Sequence, residues 1–171
     1  MIHVVLYNPE IPQNTGNIMR TCAATDVKLH MIEPLGFSLD EKAVRRSGAN
    51  YVKETDFKIY KDWKHFSDEN DGTFIFMTRY GKHKPSEFDM SNSDEDIYLI
   101  FGAESSGIPV DILKNHLDTC VRLPMTKVVR SLNLSNVVAI LVYEALRQQD
   151  YNDLAFEEPE ELKGPDFLEN A

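Results

Sequence analysis

Three short segments of this 171-residue chain concentrate the residue types that bind anions and small polar ligands. They lie at residues 8–20, 101–107 and 122–136, and they are rich in glycine, proline, asparagine and serine. Each follows a short apolar run typical of a buried strand, and each leads into a segment with helical spacing. Because open α/β sheets bind ligands beyond the ends of their strands, the sequence predicts one site built from three turns at one edge of a sheet.

The first turn joins a rigid entry to a helix that carries a cation. Pro9, Pro12 and Gly16 precede a pattern in which Asn17 and Arg20 are three residues apart and therefore share a helix face. An arginine near a helix start suits a phosphate or another oxyanion. Taken alone, the same pattern also fits an ordinary helix cap followed by a surface arginine.

The second and third turns supply glycines and polar side chains. Gly102 would let a flat ligand approach the backbone, and Gly107 leads to Pro109 in the first turn of the next helix. The segment matches neither the dinucleotide nor the triphosphate fingerprint, so an ordinary turn fits it equally well. In the third turn, capping explains one or two of four polar residues, and the others are candidate ligand contacts: Ser131, Asn133, Ser135 and Asn136.

Alternating strands and helices should position these turns. Strands are predicted near residues 2–7, 28–32, 73–78, 97–101 and 119–123, and helices over residues 15–25, 40–47, 58–68, 109–117 and 134–149. The candidate N-caps are Asn14 or Thr15, Ser38, and Ser131 or Asn133. This alternation predicts an α/β fold with a mostly parallel sheet and crossover helices.

The last predicted helix is apolar over much of its circumference. Leu134, Val138 and Leu141 follow the spacing of one buried face, whereas Ile140 and Tyr143 place apolar groups on further faces. Such a helix is either threaded through the core or packed against a second subunit. The spacing leaves both arrangements open.

The net charge of −10 is unevenly distributed. Residues 150–171 hold eight acids against Lys163, a net of −7, which leaves −3 for residues 1–149. We therefore expect a single domain over residues 1–150 and an acidic tail over residues 151–171. Basic residues cluster locally as an anion-binding rim or as ordinary surface charge: Lys42, Arg45, Arg46, Lys82, Lys84, Arg122, Lys127 and Arg130.

Several classes of site and location are not supported by composition. Cys22 and Cys120 are far apart in sequence and are expected to be buried thiols, and no histidine lies at ligand spacing from a cysteine. No metal is therefore expected. No run approaches the roughly 20 apolar residues of a membrane span, and the N-terminus lacks a basic leader, so we expect a cytoplasmic protein.

Together the three turns resemble those of the SPOUT superfamily of methyltransferases, and within it the tRNA wobble-nucleotide ribose 2′-O-methyltransferases of the TrmL (YibK-like) type. The resemblance extends from the first residues to about residue 149 and rests on the following positions: Asn14, Thr15, Gly16, Asn17, Arg20, Phe101, Gly102, Glu104, Gly107, Ser131, Asn133, Leu134, Ser135 and Asn136. It implies S-adenosylmethionine as the methyl donor, a homodimer and a C-terminal trefoil knot. Knots are otherwise nearly absent from proteins.

The same resemblance implies which residues act. The donor would be held by Met77, Gly102, Glu104, Leu123 and Ser131. Glu104 would either approach the cationic part of the donor or order its loop. Arg20 would activate the ribose hydroxyl, while Asn133 and Tyr143 would orient the nucleotide or Arg20. For Tyr143, an aromatic contact at the dimer interface is the competing explanation.

The expected RNA substrate is the anticodon stem-loop of tRNA, with leucine isoacceptors as the implied species. Since no residues are left for a separate RNA-binding domain, the dimer surface should provide the phosphate contacts. The candidates are Arg45, Arg46, Lys127 and Arg130. Tyr80 or His83 is a candidate to stack on an unpaired base.

Three other functions fit parts of this pattern. A related ribose methyltransferase would modify another tRNA position or ribosomal RNA. A second alternative is a non-catalytic RNA-binding factor with the same fold. The third is a nucleotide-dependent oxidoreductase of the doubly wound type, although the chain lacks its glycine fingerprint.

Overall fold

The computed structural model describes residues 1–39, 54–152 and 154–171 of the chain. Six strands and four α-helices lie in these ranges. In chain order they are β1 (Ile2–Tyr7), α1 (Pro12–Thr25), β2 (Lys28–Ile32), β3 (Phe57–Tyr60), α2 (Trp63–Glu69), β4 (Thr73–Met77), β5 (Ile97–Phe101), α3 (Val110–Leu113), β6 (Cys120–Val121) and α4 (Leu134–Gln148). Two single turns of 3₁₀-helix lie at Pro85–Glu87 and Leu117–Thr119.

The six strands form one parallel sheet in the order β3-β2-β1-β5-β4-β6. β1 and β5 are central, and all five residues of β5 are buried. Strands covered on both faces become continuous apolar runs, which is why the sequence predicted them well. The predicted α/β fold with a parallel sheet flanked by helices is confirmed.

Two hydrophobic layers cover the two faces of the sheet. On one face, α1 and α4 contribute Ile18, Met19, Val138 and Leu141 to the larger core. On the other face, Phe66 of α2 belongs to a smaller, aromatic-rich core. The helices therefore hold the strand ends, and the turns that follow them, in fixed relative positions.

A buried polar chain runs through the smaller core. The Nε2 atom of His3 lies 3.2 Å from Oδ1 of Asp96, and its Nδ1 lies 3.0 Å from Nε2 of His30. The Nδ1 atom of His30 lies 3.0 Å from the hydroxyl of Tyr60, to which Asn70 donates over 3.3 Å. Since an ionised Asp96 only accepts, the chain is satisfied when both imidazoles are neutral and each donates toward Asp96. Burial lowers the pKa of both histidines, that of His30 to about 3.

The prediction for residues 58–68 was wrong at its start. Instead of a helix, residues 57–60 form the edge strand β3, which pairs with β2 from Leu29 to Ile32. The following helix begins only at Trp63, after Asp62 accepts a hydrogen bond from the backbone N–H of His65 over 2.8 Å. An edge strand with exposed positions lacks the continuous apolar run that marked the other strands.

Three further boundaries differ from those predicted. α1 begins at Pro12, with Ile11 in the N-cap position, so Asn14 and Thr15 lie inside the helix and are buried. Asn133 is the N-cap of α4, as predicted for one of two candidates. The predicted helix over residues 109–117 spans only α3, and the predicted strand over residues 119–123 is only the two-residue β6. The predicted helix over residues 40–47 lies outside the described residues. The capping role predicted for Ser38 depends on that helix.

The remaining features concern the cysteines, the membrane and the tail. Cys22 and Cys120 are buried thiols, as predicted, and burial raises the pKa of Cys22 to about 12. No helix in the described ranges has the length and apolar character needed to cross a membrane. Tyr151 and Leu154 pack against the larger core, whereas Phe156 is 78% exposed at the start of the acidic end.

Candidate functional site

A cavity of about 600 Å³ opens at the carboxyl ends of β4, β5 and β6. Its walls come from the turns after these strands, from the start of α1 and from the start of α4. Every residue predicted to hold the donor lines it: Met77, Gly102, Glu104, Leu123 and Ser131. Cavities of this size are typical of small-molecule sites, so the structure brings the three predicted turns together around a space suited to a ligand.

The second turn folds back tightly on itself. A Cβ atom at Gly102 would lie 2.2 Å from the carbonyl carbon of Gly107, so the missing side chain is needed for turn closure. Gly107 has φ of +73°, a left-handed conformation that favours glycine, and the space beside it is open. The sequence-based reason given for Gly102, close approach of a ligand, is therefore incomplete, because Gly107 occupies the position beside it.

Two glutamates tie the second turn to the first. Glu104 accepts hydrogen bonds from the backbone N–H groups of Glu10 (2.8 Å) and Ile11 (3.2 Å), and from the side-chain amide of Asn14 (3.1 Å). In return, Glu10 accepts from the N–H (2.9 Å) and the hydroxyl (2.6 Å) of Ser105. These bonds lower the pKa of Glu10. Of the two roles expected for Glu104, its contacts match loop ordering.

A second polar connection joins α1 to the third turn. The Oδ1 atom of Asn14 accepts a hydrogen bond from Asn133 over 3.0 Å, while Oδ1 of Asn133 accepts from the backbone and the hydroxyl of Ser135. Asn14 is buried, and both ends of its amide are used. The four polar residues of the third turn therefore divide into the N-cap pair Asn133 and Ser135, Ser131 exposed at the cavity wall, and Asn136 exposed on α4 outside the cavity lining.

The other predicted site residues lie in different places. Asn133 and Arg130 line the cavity, whereas Lys127 is exposed on the loop before α4 and does not line it. Arg20 is on the exposed side of α1, and Tyr143 is 49% exposed on α4. Both are outside the cavity lining. Arg45 and Arg46 lie outside the described residues.

The cavity wall combines apolar surface with polar side chains. Met77, Leu123, Leu132 and Val137 provide apolar surface, and Ser131 provides a hydroxyl group. Polar side chains also line the cavity, among them Glu104, Arg122 and Asn133, and apolar walls combined with placed polar groups are typical of small-molecule sites. Within the described ranges, no group of three histidine, cysteine, aspartate or glutamate side chains is placed to hold a metal ion.

The model of the SpoU rRNA Methylase family matches residues 1–143. The chain belongs to this family. The match includes all three turns and most of α4, so the cavity lies within the part of the chain that defines SpoU methylases. The oxidoreductase alternative is therefore set aside.

Several proteins of known name are similar to this chain over most of its length. A protein of Escherichia coli K12 named tRNA (cytidine(34)-2′-O)-methyltransferase is 44% identical over 153 residues, which are 88% of this chain and 96% of that protein. A Bacillus subtilis protein provisionally given the same name is 53% identical over 154 residues, covering 90% and 96%. A solved structure that concerns 2-OH methylation of C/U34 on tRNA is 37% identical with a TM-score of 0.79, covering 88% of this chain and 97% of that one.

Several contacts of this SpoU methylase were not predicted from sequence. Glu10 and Ser105 are separated by 95 residues, and no periodic pattern relates them. Arg79 also lines the cavity and was not predicted, whereas Arg122, which lines it too, was among the basic residues expected to form an anion-binding rim or ordinary surface charge. The only available signal for Glu10 was its place between two prolines directly after a strand, which is typical of a turn but does not identify a partner.

Proposed function

We propose that the chain is an S-adenosylmethionine-dependent tRNA methyltransferase that modifies the ribose 2′-hydroxyl of the wobble nucleotide, cytidine or uridine 34. The observation that carries the proposal is the cavity in which three separate turns meet, lined by all five expected donor residues. Family membership supplies the reaction class. The named relatives, aligned over nearly their whole lengths, support the substrate and the position.

The donor would be held by the turns after β4, β5 and β6. When bound, S-adenosylmethionine supplies a methyl carbon attached to a sulfonium centre. Met77 and Leu123 would cover the adenine, and backbone groups near Gly102 would read its edge. Glu104 would act by keeping the second turn closed on α1, since its oxygens accept three hydrogen bonds from residues 10–14.

In this proposal, Arg20 is the residue that activates the ribose 2′-hydroxyl. An arginine side chain stays charged at neutral pH, so it is better suited to hold a phosphate and stabilise a developing alkoxide than to remove a proton. Asn133 would orient the nucleotide from the cavity wall. Tyr143 faces solvent from α4, where it would either contact RNA or pack against a second copy of the chain.

The assembly proposed is a cytoplasmic homodimer that binds the anticodon stem-loop. Ile140 is 45% exposed beside Tyr143 on α4, and a second copy would cover both. Arg130 and Lys127, together with Arg45 and Arg46, would contact phosphates. A trefoil knot in the C-terminal part is proposed from the family resemblance. The acidic tail over residues 151–171 would lie apart from the RNA.

The function is tested by methylation of unmodified tRNA. The protein would be incubated with total tRNA from cells that lack the wobble modification and with methyl-labelled donor, and the labelled nucleotide would be mapped. We expect one methyl group at the ribose of nucleotide 34, with leucine isoacceptors among the substrates. Labelling at another tRNA position, or of ribosomal RNA alone, would support the related methyltransferase instead.

A further inference from the structure

Three arginines lie at the mouth of the cavity, and none has an acidic partner among the residues that the structure describes. Arg79, Arg122 and Arg130 are exposed, line the cavity, and form no ion pair within the described part of the chain. Five cations elsewhere in the described ranges are paired with acids, and others are not; the paired ones are Lys28, Lys58, Lys64, Lys84 and Arg147. On a chain of net charge −10, a cluster of unneutralised arginines around one opening attracts an anion.

Hydrogen bonds orient two of these arginines and a neighbouring ring. Arg122 donates from Nη1 to the backbone carbonyl of Arg79 over 2.7 Å. The guanidinium of Arg79 lies 4.8 Å from the ring centroid of Tyr80 and donates to its hydroxyl. Tyr80 is 66% exposed, so most of its ring remains available to a ligand.

The turn that carries Arg79 and Tyr80 is fixed to β6. The backbone N–H of Thr78 donates to the carbonyl of Val121 over 2.9 Å, and the backbone N–H of Arg122 donates to the carbonyl of His83 over 2.9 Å. Gly81 packs so closely that a Cβ atom there would lie 2.6 Å from the carbonyl carbon of Val121. Arg79, Arg122 and the ring of Tyr80 are therefore held in place before any ligand binds, which reduces the entropy cost of binding.

We propose that Arg79, Tyr80 and Arg122 form a nucleotide-binding rim for the RNA substrate. The two guanidinium groups hold a phosphodiester next to the methylated nucleotide, and Tyr80 stacks on an unpaired neighbouring base. Guanidinium groups match phosphate oxygens, and single-stranded RNA is recognised by stacking on aromatic rings. This inference rests on the proposed function. The other anion that could reach the rim is the carboxylate of the methyl donor.

The first test separates these two anions with Arg79→Ala and Arg122→Ala, singly and combined. RNA affinity would be measured with an anticodon stem-loop over a series of salt concentrations, and donor affinity by calorimetry. We expect the double variant to bind RNA about tenfold more weakly, with a salt slope smaller by about 1.4, since each contact to single-stranded RNA contributes about 0.7. Donor affinity should stay within about twofold of the wild type, which also shows that the cavity remains folded.

The second test concerns Tyr80. Tyr80→Phe retains the ring and should keep RNA affinity within about twofold, whereas Tyr80→Ala should lower it about tenfold, because stacking on one base contributes on the order of 1–3 kcal/mol.

Lys114→Ala is the matched control for the two arginine variants, because Lys114 is an exposed cation that does not line the cavity. It should leave both affinities unchanged.

The RNA and donor affinities of these variants decide between the rim, the donor carboxylate and failure of the proposed function. An unchanged salt slope in the double variant overturns the rim. A loss of donor affinity with an unchanged RNA slope also overturns it and assigns the arginines to the donor carboxylate. If wild-type protein methylates tRNA while these variants bind RNA normally, the proposed function survives and the rim does not. If the wild type binds no RNA, both fail.

Discussion

At the scale of single residues, the site depends on bonds between segments that are far apart in sequence. Glu10 and Glu104 each accept hydrogen bonds from the other's turn, across 94 or 95 positions of the chain. Asn14 extends this connection to Asn133, which caps α4. The cavity wall is therefore a set of turns linked by carboxylate and amide groups, rather than three independent loops.

Glu10→Gln tests the link between the first and second turns. The pKa of Glu10 is lowered by two hydrogen bonds from Ser105, so the group is ionised at neutral pH, and glutamine retains its shape without the charge. A charge-assisted hydrogen bond is roughly twice as strong as a neutral one. We expect the dissociation constant of the donor to rise about threefold to tenfold, while kcat at saturating donor changes little.

Glu95→Gln is the control for this substitution. Glu95 also accepts a side-chain hydrogen bond, from Thr73 over 2.9 Å, but it is outside the cavity lining. Donor affinity should match the wild type in this variant. If Glu10→Gln does the same, Glu10 does not position the donor loop.

Arg20→Ala tests the proposed role of Arg20 in activating the ribose 2′-hydroxyl. Because Arg20 does not line the cavity, we expect donor affinity to stay the same. Methylation should fall by about a hundredfold or more, the scale of a group that stabilises charge in the transition state. Single-turnover rates at saturating RNA would measure this loss. A rate near that of the wild type would remove Arg20 from the mechanism.

The sequence identified the residues of the cavity better than their partners. The family resemblance named Met77, Gly102, Leu123 and Ser131, and strand order predicted that the three turns meet at one edge of the sheet. Glu10 was missed because its effect depends on a turn 95 residues away. Hydrogen bonds between distant turns have no signature in periodicity or local composition.

At the level of elements, the bounds of the four inner strands of the sheet were predictable from the sequence, whereas those of the two edge strands were not. The strands with uninterrupted apolar runs were placed within about one residue, whereas the edge strand β3 was taken for part of a helix. Lys58 and Lys61 interrupt the apolar pattern there. Pairing with β2, a contact distant in sequence, decides the conformation of this segment.

The buried histidine chain across β1 and β2 predicts a pH-dependent stability. The folded state lowers the pKa of His30 from 6.5 to about 3, so below pH 6.5 the unfolded chain binds more protons than the folded one. This contribution to stability is present above about pH 6.5 and is lost as the pH falls toward 3. We expect the free energy of unfolding in urea to fall between pH 7 and pH 5, by up to about 1.4 kcal/mol per pH unit for each proton.

His30→Gln and His65→Gln separate this effect from general acid sensitivity. The His30 variant should lose part of the dependence between pH 7 and pH 5, whereas the variant at His65, a partly exposed residue on α2, should retain it. A free energy of unfolding that is constant from pH 7 to pH 5 in the wild type would contradict the neutral histidine chain.

At the scale of the whole molecule, α4 presents apolar surface to solvent. α4 buries Val138, Leu141 and Val142 against its own core, while Ile140 and Tyr143 face outward. Of the two arrangements that the sequence left open for this helix, its buried face accounts for packing within the chain. The remaining exposed face is the basis for the proposed dimer.

Ile140→Glu tests that dimer. A charge placed in an apolar interface is costly, so we expect sedimentation to show a change from about twice the 19.6 kDa of one chain to a single chain. The circular dichroism spectrum should be unchanged, since Ile140 is 45% exposed in the single chain. Ser86→Glu, on an exposed 3₁₀ turn, is the control and should remain dimeric. A wild-type protein that sediments as a single chain would contradict the dimer.

In the proposed function, the cavity places a methyl donor beside the ribose hydroxyl of nucleotide 34. The most direct measurement compares two synthetic anticodon stem-loops that differ only in the 2′-hydroxyl of that nucleotide, each incubated with the protein and methyl-labelled S-adenosylmethionine. We expect one methyl group per molecule of the RNA with the hydroxyl, and none in the 2′-deoxy RNA. Equal labelling of the two RNAs would contradict the proposed function.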